Sequence, residues 1–109
     1  MKRVEIIITG IVQGIGFRPY IYHLAQKHMI RGRVFNNEKG VFIDAEGEDE
    51  YLTQFIQEIP EFAPPLARIE SILIKYLEPF GYNSFEIRKS EEAQEIFTLI
   101  SFLTQRITE

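Results

Sequence analysis

Apolar residues alternate with others from Val4 to Thr9. Val4, Ile6 and Ile8 fall on one side, and Glu5, Ile7 and Thr9 on the other. That is the two-residue period of a strand, and Ile7 on the second face predicts a central one. After the glycine-punctuated stretch Gly10–Gly16 the period lengthens. Ile21, Leu24, Ala25 and His28 recur at i, i+3, i+4 and i+7, which predicts a helix over about Phe17–Met29. Pro19 sits in its first turn, where a missing N–H costs nothing.

Arg31–Phe35 and Val41–Glu46 read as two strands joined by the turn NNEKG, with Gly40 expected at positive φ. A second helix is predicted over Asp49–Ile59, with acidic residues in its first turn and Leu52, Phe55, Ile56 and Ile59 on one side. Pro60, Pro64 and Pro65 each remove a backbone donor, which predicts a loop. Ala67–Glu78 then reads as a long strand and Ser84–Lys89 as a short one.

The order β–α–β–β–α–β plus a short fifth strand specifies an α+β fold of the ferredoxin-like type. Two helices cover one face of a mostly antiparallel sheet. Strands two and three form a hairpin, and the first helix crosses over to a neighbouring parallel position. Residues 1–89 form this domain, and 90–109 a linker or tail. In the tail Ile96, Leu99, Ile100, Leu103 and Ile107 fit a helical stripe after Ser90 as N-cap. An apolar stripe of that kind has to be covered, by its own domain or by another chain, so a homo-oligomer built through the tail or a sheet edge is one expectation.

Composition narrows the function classes. At 109 residues and 45% hydrophobic, the chain supports one small packed domain. With no cysteine it has neither a disulfide framework nor a thiolate metal site. A net charge of −4 argues against broad nucleic-acid binding. The apolar run in MKRVEIIITG is broken by Glu5 and ends at Gly10, too short for a signal-peptide core or a membrane span. The expectation is a cytoplasmic protein without membrane or nucleic-acid partners.

The candidate chemistry lies in GIVQGIGFRPY, Gly10–Tyr20. Small residues let successive backbone N–H groups turn inward around an anion, and a helix that starts directly afterwards adds its own free N–H groups and dipole. Gln13, Gly14, Ile15, Gly16, Phe17 and Arg18 meet both conditions, and the planar fork of Arg18 suits two phosphate oxygens. Taken by itself, the loop fits a plain glycine-rich turn with a solvated arginine slightly better than a cradle. Its spacing matches neither of the common nucleotide-loop patterns.

Two blocks carry a family resemblance. Gly10–Arg18, with its V-Q-G-I-G-F-R, resembles the signature loop of the acylphosphatase family. Gly32-Arg33-Val34-Phe35-Asn36-Asn37-Glu38-Lys39-Gly40 resembles the family's second block, and Ser84–Arg88 its closing strand. The resemblance covers about residues 3–89. Phe17-Arg18-Pro19-Tyr20 and Pro64–Ile69 are most similar to the acylphosphatase-like domain that opens the HypF carbamoyltransferases of nickel–iron hydrogenase maturation. It implies hydrolysis of an acyl phosphate, carbamoyl phosphate in the parent protein, without cofactor or metal. Arg18 would hold the phosphoryl oxygens with the loop N–H groups, and Asn36 would orient the attacking water. Further domains of the parent would be partners. A binding or docking module with little turnover, and a free-standing acylphosphatase, are the alternatives.

Other residues read as structural. Asn37, next to Asn36 but on the opposite face, is a turn residue. His23 and His28 are five apart and lie on different helix faces, so they share no metal. Asp44, Glu46, Glu48, Asp49 and Glu50 are expected to form a solvated strand end and helix start.

Overall fold

The computed structural model describes residues 1–89. The expected stripe behind Ser90 lies outside the described residues. The elements are β1 (Lys2–Ile11), α1 (Phe17–Lys27), β2 (Arg31–Asn37), β3 (Gly40–Gly47), α2 (Asp49–Glu61), β4 (Arg68–Leu77) and β5 (Phe85–Ile87). They form one sheet in the order β4-β1-β3-β2-β5, with all pairs antiparallel except β2 and β5. This is the expected ferredoxin-like α+β arrangement. The crossover differs from expectation. β2 is not a neighbour of β1, because the two-residue turn at Glu38-Lys39 folds β3 back between them. Gly40 has φ 153°.

The core follows from the periods. Val4, Ile6 and Ile8 of β1 are fully buried, facing Ile21 and Ala25 of α1 and Leu52, Phe55 and Ile59 of α2 in one cluster. Helix α2 runs one residue beyond Pro60. A proline in the final turn forfeits a single backbone bond, and the link two residues on, from the Phe62 N–H to the Glu58 carbonyl, still forms at 3.1 Å. The Tyr20 hydroxyl lies 2.7 Å from the Glu58 carbonyl and 2.9 Å from that of Ile59, which ties α1 to the end of α2. Burial and the nearby Glu58 push the Tyr20 phenol up to about 12. His28 is buried with Nε2 2.9 Å from the Glu58 carboxylate, while His23 is exposed. Lys27 bonds the same carboxylate at 2.9 Å and holds it below the usual range.

On the sheet face away from the helices, Phe35 and Phe42 stack at 4.7 Å beside Ile7. Farther along, the reading of Asp44 and Glu46 as solvated acids is corrected: their relative exposures are 1% and 0%. The segment between β4 and β5 folds over them. Asp44 takes Arg3 on both oxygens, at 2.8 and 2.9 Å, and accepts from the Tyr82 hydroxyl at 2.5 Å. Glu46 accepts from the backbone N–H groups of Phe80 at 2.9 Å, Gly81 at 2.7 Å, and Tyr82. Two buried carboxylates are tolerable here because each is saturated with donors.

Candidate active site

The glycine loop leaves the end of β1, and α1 begins at Phe17. Gly14 and Gly16 take φ 73° and 81°, the left-handed region that a side chain disfavours. An added Cβ at either would meet nothing within 4 Å, so glycine is required there for conformation and not for space. Gly16 is the N-cap of α1. It offers no side-chain cap, and the first turn holds no acidic residue. The start of α1 therefore presents uncapped N–H groups and the positive end of its dipole, with Arg18 beside them.

Strand parity brings Asn36 to the loop. Asn36 pairs with Val41 in register and Val34 with Ile43, and these apolar partners belong to the helix-covered core. Asn36 thus lies on the same face as α1. A pocket of about 180 Å³ is lined by Val12, Gly14, Gly16, Phe17, Arg18, Pro19 and Asn36. The Asn36 Oδ1 is buried and has no hydrogen-bond partner among the described residues. Arg18 donates from Nη1 to the Arg88 carbonyl at 3.4 Å, a weak bond that leaves most of its fork free. Asn37 lies on the other face, and its Oδ1 closes the hairpin turn by accepting from Lys39 and Gly40 N–H groups at 2.8 and 3.1 Å.

Two loop residues have other duties. The Gln13 side chain turns away from the pocket, and its Nε2 donates to the Asn37 carbonyl at 2.6 Å and the Gly40 carbonyl at 2.8 Å. Ile15 packs on the core. Val12, Pro19 and the Arg88 carbonyl are additions that sequence reasoning did not place. Val12 and Pro19 left a trace, as the valine that opens the quoted loop motif and the proline directly after its arginine.

A larger concavity, about 520 Å³, lies at the opposite end, lined by Gln26, Met29, Arg31, Tyr51 and Phe85 among others. It lies between the C-terminal end of α1 and the start of α2, away from Arg18 and Asn36. Among the described residues no group of three or more His, Cys, Asp or Glu side chains could hold a metal ion, and no helix is long and apolar enough to cross a membrane.

Fold and pocket together define a small α+β domain with a glycine-rich loop and an uncapped helix start between its first strand and first helix, beside a small pocket. Comparison with known proteins narrows this. The acylphosphatase family model matches residues 4–87, and the chain belongs to that family. It is 42% identical over 90 residues to the carbamoyltransferase HypF of Rhizobium leguminosarum bv. viciae, covering 83% of this chain but 12% of that protein. It is 37% identical over 89 residues to the acylphosphatase of Thermotoga maritima, covering 81% of this chain and 98% of the relative. Among solved structures, full-length HypF in a phosphate- and nucleotide-bound form aligns with TM-score 0.79 and 41% identity over 82% of this chain and 12% of its own. The Bacillus subtilis acylphosphatase aligns with TM-score 0.76 and 31% identity over 81% and 99%. The chain therefore spans about an eighth of the HypF proteins it matches and nearly all of the free-standing ones.

Proposed function

We propose that this domain hydrolyses small acyl phosphates, carbamoyl phosphate among them, to a carboxylate or carbamate and inorganic phosphate. The observation that carries this is the meeting of Arg18 and the unpaired Asn36 Oδ1 on one pocket, next to an uncapped helix N-terminus. At about 180 Å³ the pocket suits a phosphoryl group with a short acyl chain, being well below the roughly 300–1,000 Å³ of sites for drug-sized ligands.

The phosphoryl oxygens sit against the loop N–H groups and the Arg18 fork, which stays cationic and follows charge as it spreads over the oxygens. Water, held by the Asn36 carbonyl, attacks phosphorus. The P–O bond to the acyl oxygen breaks, the carboxylate leaves with the bonding pair, and the water's proton passes to a phosphate oxygen. A carboxylate is a good leaving group, so positioning and charge stabilisation supply most of the catalysis without a strong base.

The test is hydrolysis of acetyl, benzoyl and carbamoyl phosphate by wild type, Arg18→Ala and Asn36→Ala. Loss of a charged, pre-oriented phosphate ligand is expected to cut kcat/KM by about a thousandfold or more. Loss of the water holder is expected to cut kcat by about a hundredfold with little change in KM. Unchanged turnover in both variants would overturn the reading. A second reading follows from the 12% coverage of the HypF proteins: a module that holds carbamoyl phosphate within a longer protein. Phosphate binding that needs Arg18, without turnover in wild type, selects it.

A further inference from the structure

On the sheet face away from the helices, the register lines up one apolar row. Phe35 pairs with Phe42, Phe42 with Ile7, and Ile7 with Leu73, across β2, β3, β1 and β4. Exposure climbs along that row, from Phe35 at 1% and Phe42 at 5% to Leu73 at 60%. Side chains stand up from a sheet face, so they are sealed only when something lies over them. Stacking shields one face of each ring and leaves the rest. Among the described residues, the partly buried hydrophobic side chain packed on the two phenylalanines is Ile7. The roof made by residues 80–82 lies over the next row, where Tyr82 bonds Asp44 and its ring sits 5.8 Å from the Arg33 guanidinium. The sealed end of the apolar row therefore has a cover of its own.

We infer that this cover is the chain's own C-terminal segment, residues 90–109, laid on the face with its Ile96–Ile107 stripe against Phe35, Phe42 and Ile7. Position selects that occupant first. The Arg88 N–H bonds the Val34 carbonyl at 2.9 Å, so the chain leaves the sheet beside Phe35, at the sealed end of the row. Leu73, on the strand farthest from that exit, is the residue left in solvent.

Length and pattern agree. As a helix, Ile96 to Ile107 rises about 16 Å, against about 10 Å from β2 across β3 to β1. Thr98, Ser101 and Gln105 fall opposite the apolar stripe, which leaves the segment a polar side for water. A segment tethered a few residues from the row meets it at an effective concentration on the order of millimolar, far above that of a second copy free in dilute solution.

The chain has no cysteine, so one nitroxide can be placed on the full chain at Ser101→Cys, on the polar side of the segment. The amide NMR signals of Phe35, Phe42 and Ile7 should then lose most of their intensity. Those of Leu24 and Phe55, in the helix layer beyond the sheet, should lose far less. Leu99→Asp with Leu103→Asp in the labelled chain puts two carboxylates into the stripe and should restore the three signals, with Leu24 and Phe55 at their native shifts. An equal mixture of isotope-labelled chain without nitroxide and unlabelled chain with it should show no loss. Full intensity at Phe35 and Phe42 in the nitroxide chain overturns the inference. Loss in the mixture also overturns it, since the cover would then come from another copy, and neither of these readings needs the aspartate variant. Loss that survives both aspartates in a folded chain overturns it as well.

Discussion

Gln13 and Gly40 are joined across the candidate site: the Gln13 Nε2 donates to the Gly40 carbonyl at 2.8 Å and to the adjacent strand-end carbonyl of Asn37 at 2.6 Å. One amide thus fixes the Arg18 loop against the hairpin that carries Asn36. Its task is to set the separation of the two groups that flank the pocket.

Gln13→Ala removes that donor and leaves two partly buried carbonyls without it. We expect a loss of about 1–2 kcal/mol in stability and a fall in kcat of about tenfold from the loosened geometry. Gln13→Glu should do worse than alanine, because a carboxylate oxygen would face two carbonyl oxygens. Denaturant melts and steady-state kinetics of the two variants check this. A Glu variant as stable as wild type would refute the positioning role.

Glu46 is expected to be one of the most sensitive positions in the domain. Glu46→Ala leaves the N–H groups of Phe80, Gly81 and Tyr82 without their acceptor. The expected cost is about 3 kcal/mol, from several groups that must find water instead. Amide hydrogen exchange gives the local signature: those three N–H groups should be protected in wild type and exchange quickly in the variant. Equal protection in both proteins would show that the segment is held by other means.

The two half-buried tyrosines predict a loss of stability in alkali. Burial raises both Tyr20 and Tyr82 to about 12, with Glu58 adding to the first and the hydrogen bond to Asp44 to the second. An unfolded tyrosine titrates near 10. Between about pH 10 and 12 the unfolded chain gives up its phenolic protons first, so stability is complete below pH 10 and falls as pH rises toward 12. Unfolding free energy measured over that range should decline less steeply in Tyr82→Phe and in Tyr20→Phe. Parallel curves for wild type and both variants would contradict the assignment.

The sequence showed most where one residue's environment is made by its near neighbours. The stripe Ile21, Leu24, Ala25 and His28 is buried as a helix period demands, and the Asn37 turn is local chemistry. Asp44 and Glu46 misled because their cover comes from residues 80–82, more than thirty positions away along the chain. No local pattern announces that an acid on a strand will be roofed by a later loop. Pro60 misled for a smaller reason: a proline stops a helix only where enough helix remains to be lost. At the pocket, parity set Asn36 and Asn37 on opposite faces, and the glycine frame of the second block, Gly32 to Gly40, chose Asn36. The turn of Gln13 toward the hairpin was hidden, because its two partners are backbone carbonyls and backbone leaves no trace in the identity of residues.

The bond from Arg18 to the Arg88 carbonyl spans 70 residues. The glycine loop is encoded within the first twenty residues, yet an acceptor for its arginine lies just past β5, the last and shortest of the described strands. Closing so long a loop is slow and entropically costly, and its return comes only once the rest of the sheet stands. During synthesis Arg18 therefore waits for an acceptor made much later. A nascent chain that has emerged only as far as β4 holds every residue that lines the pocket but lacks the Arg88 carbonyl that Arg18 bonds.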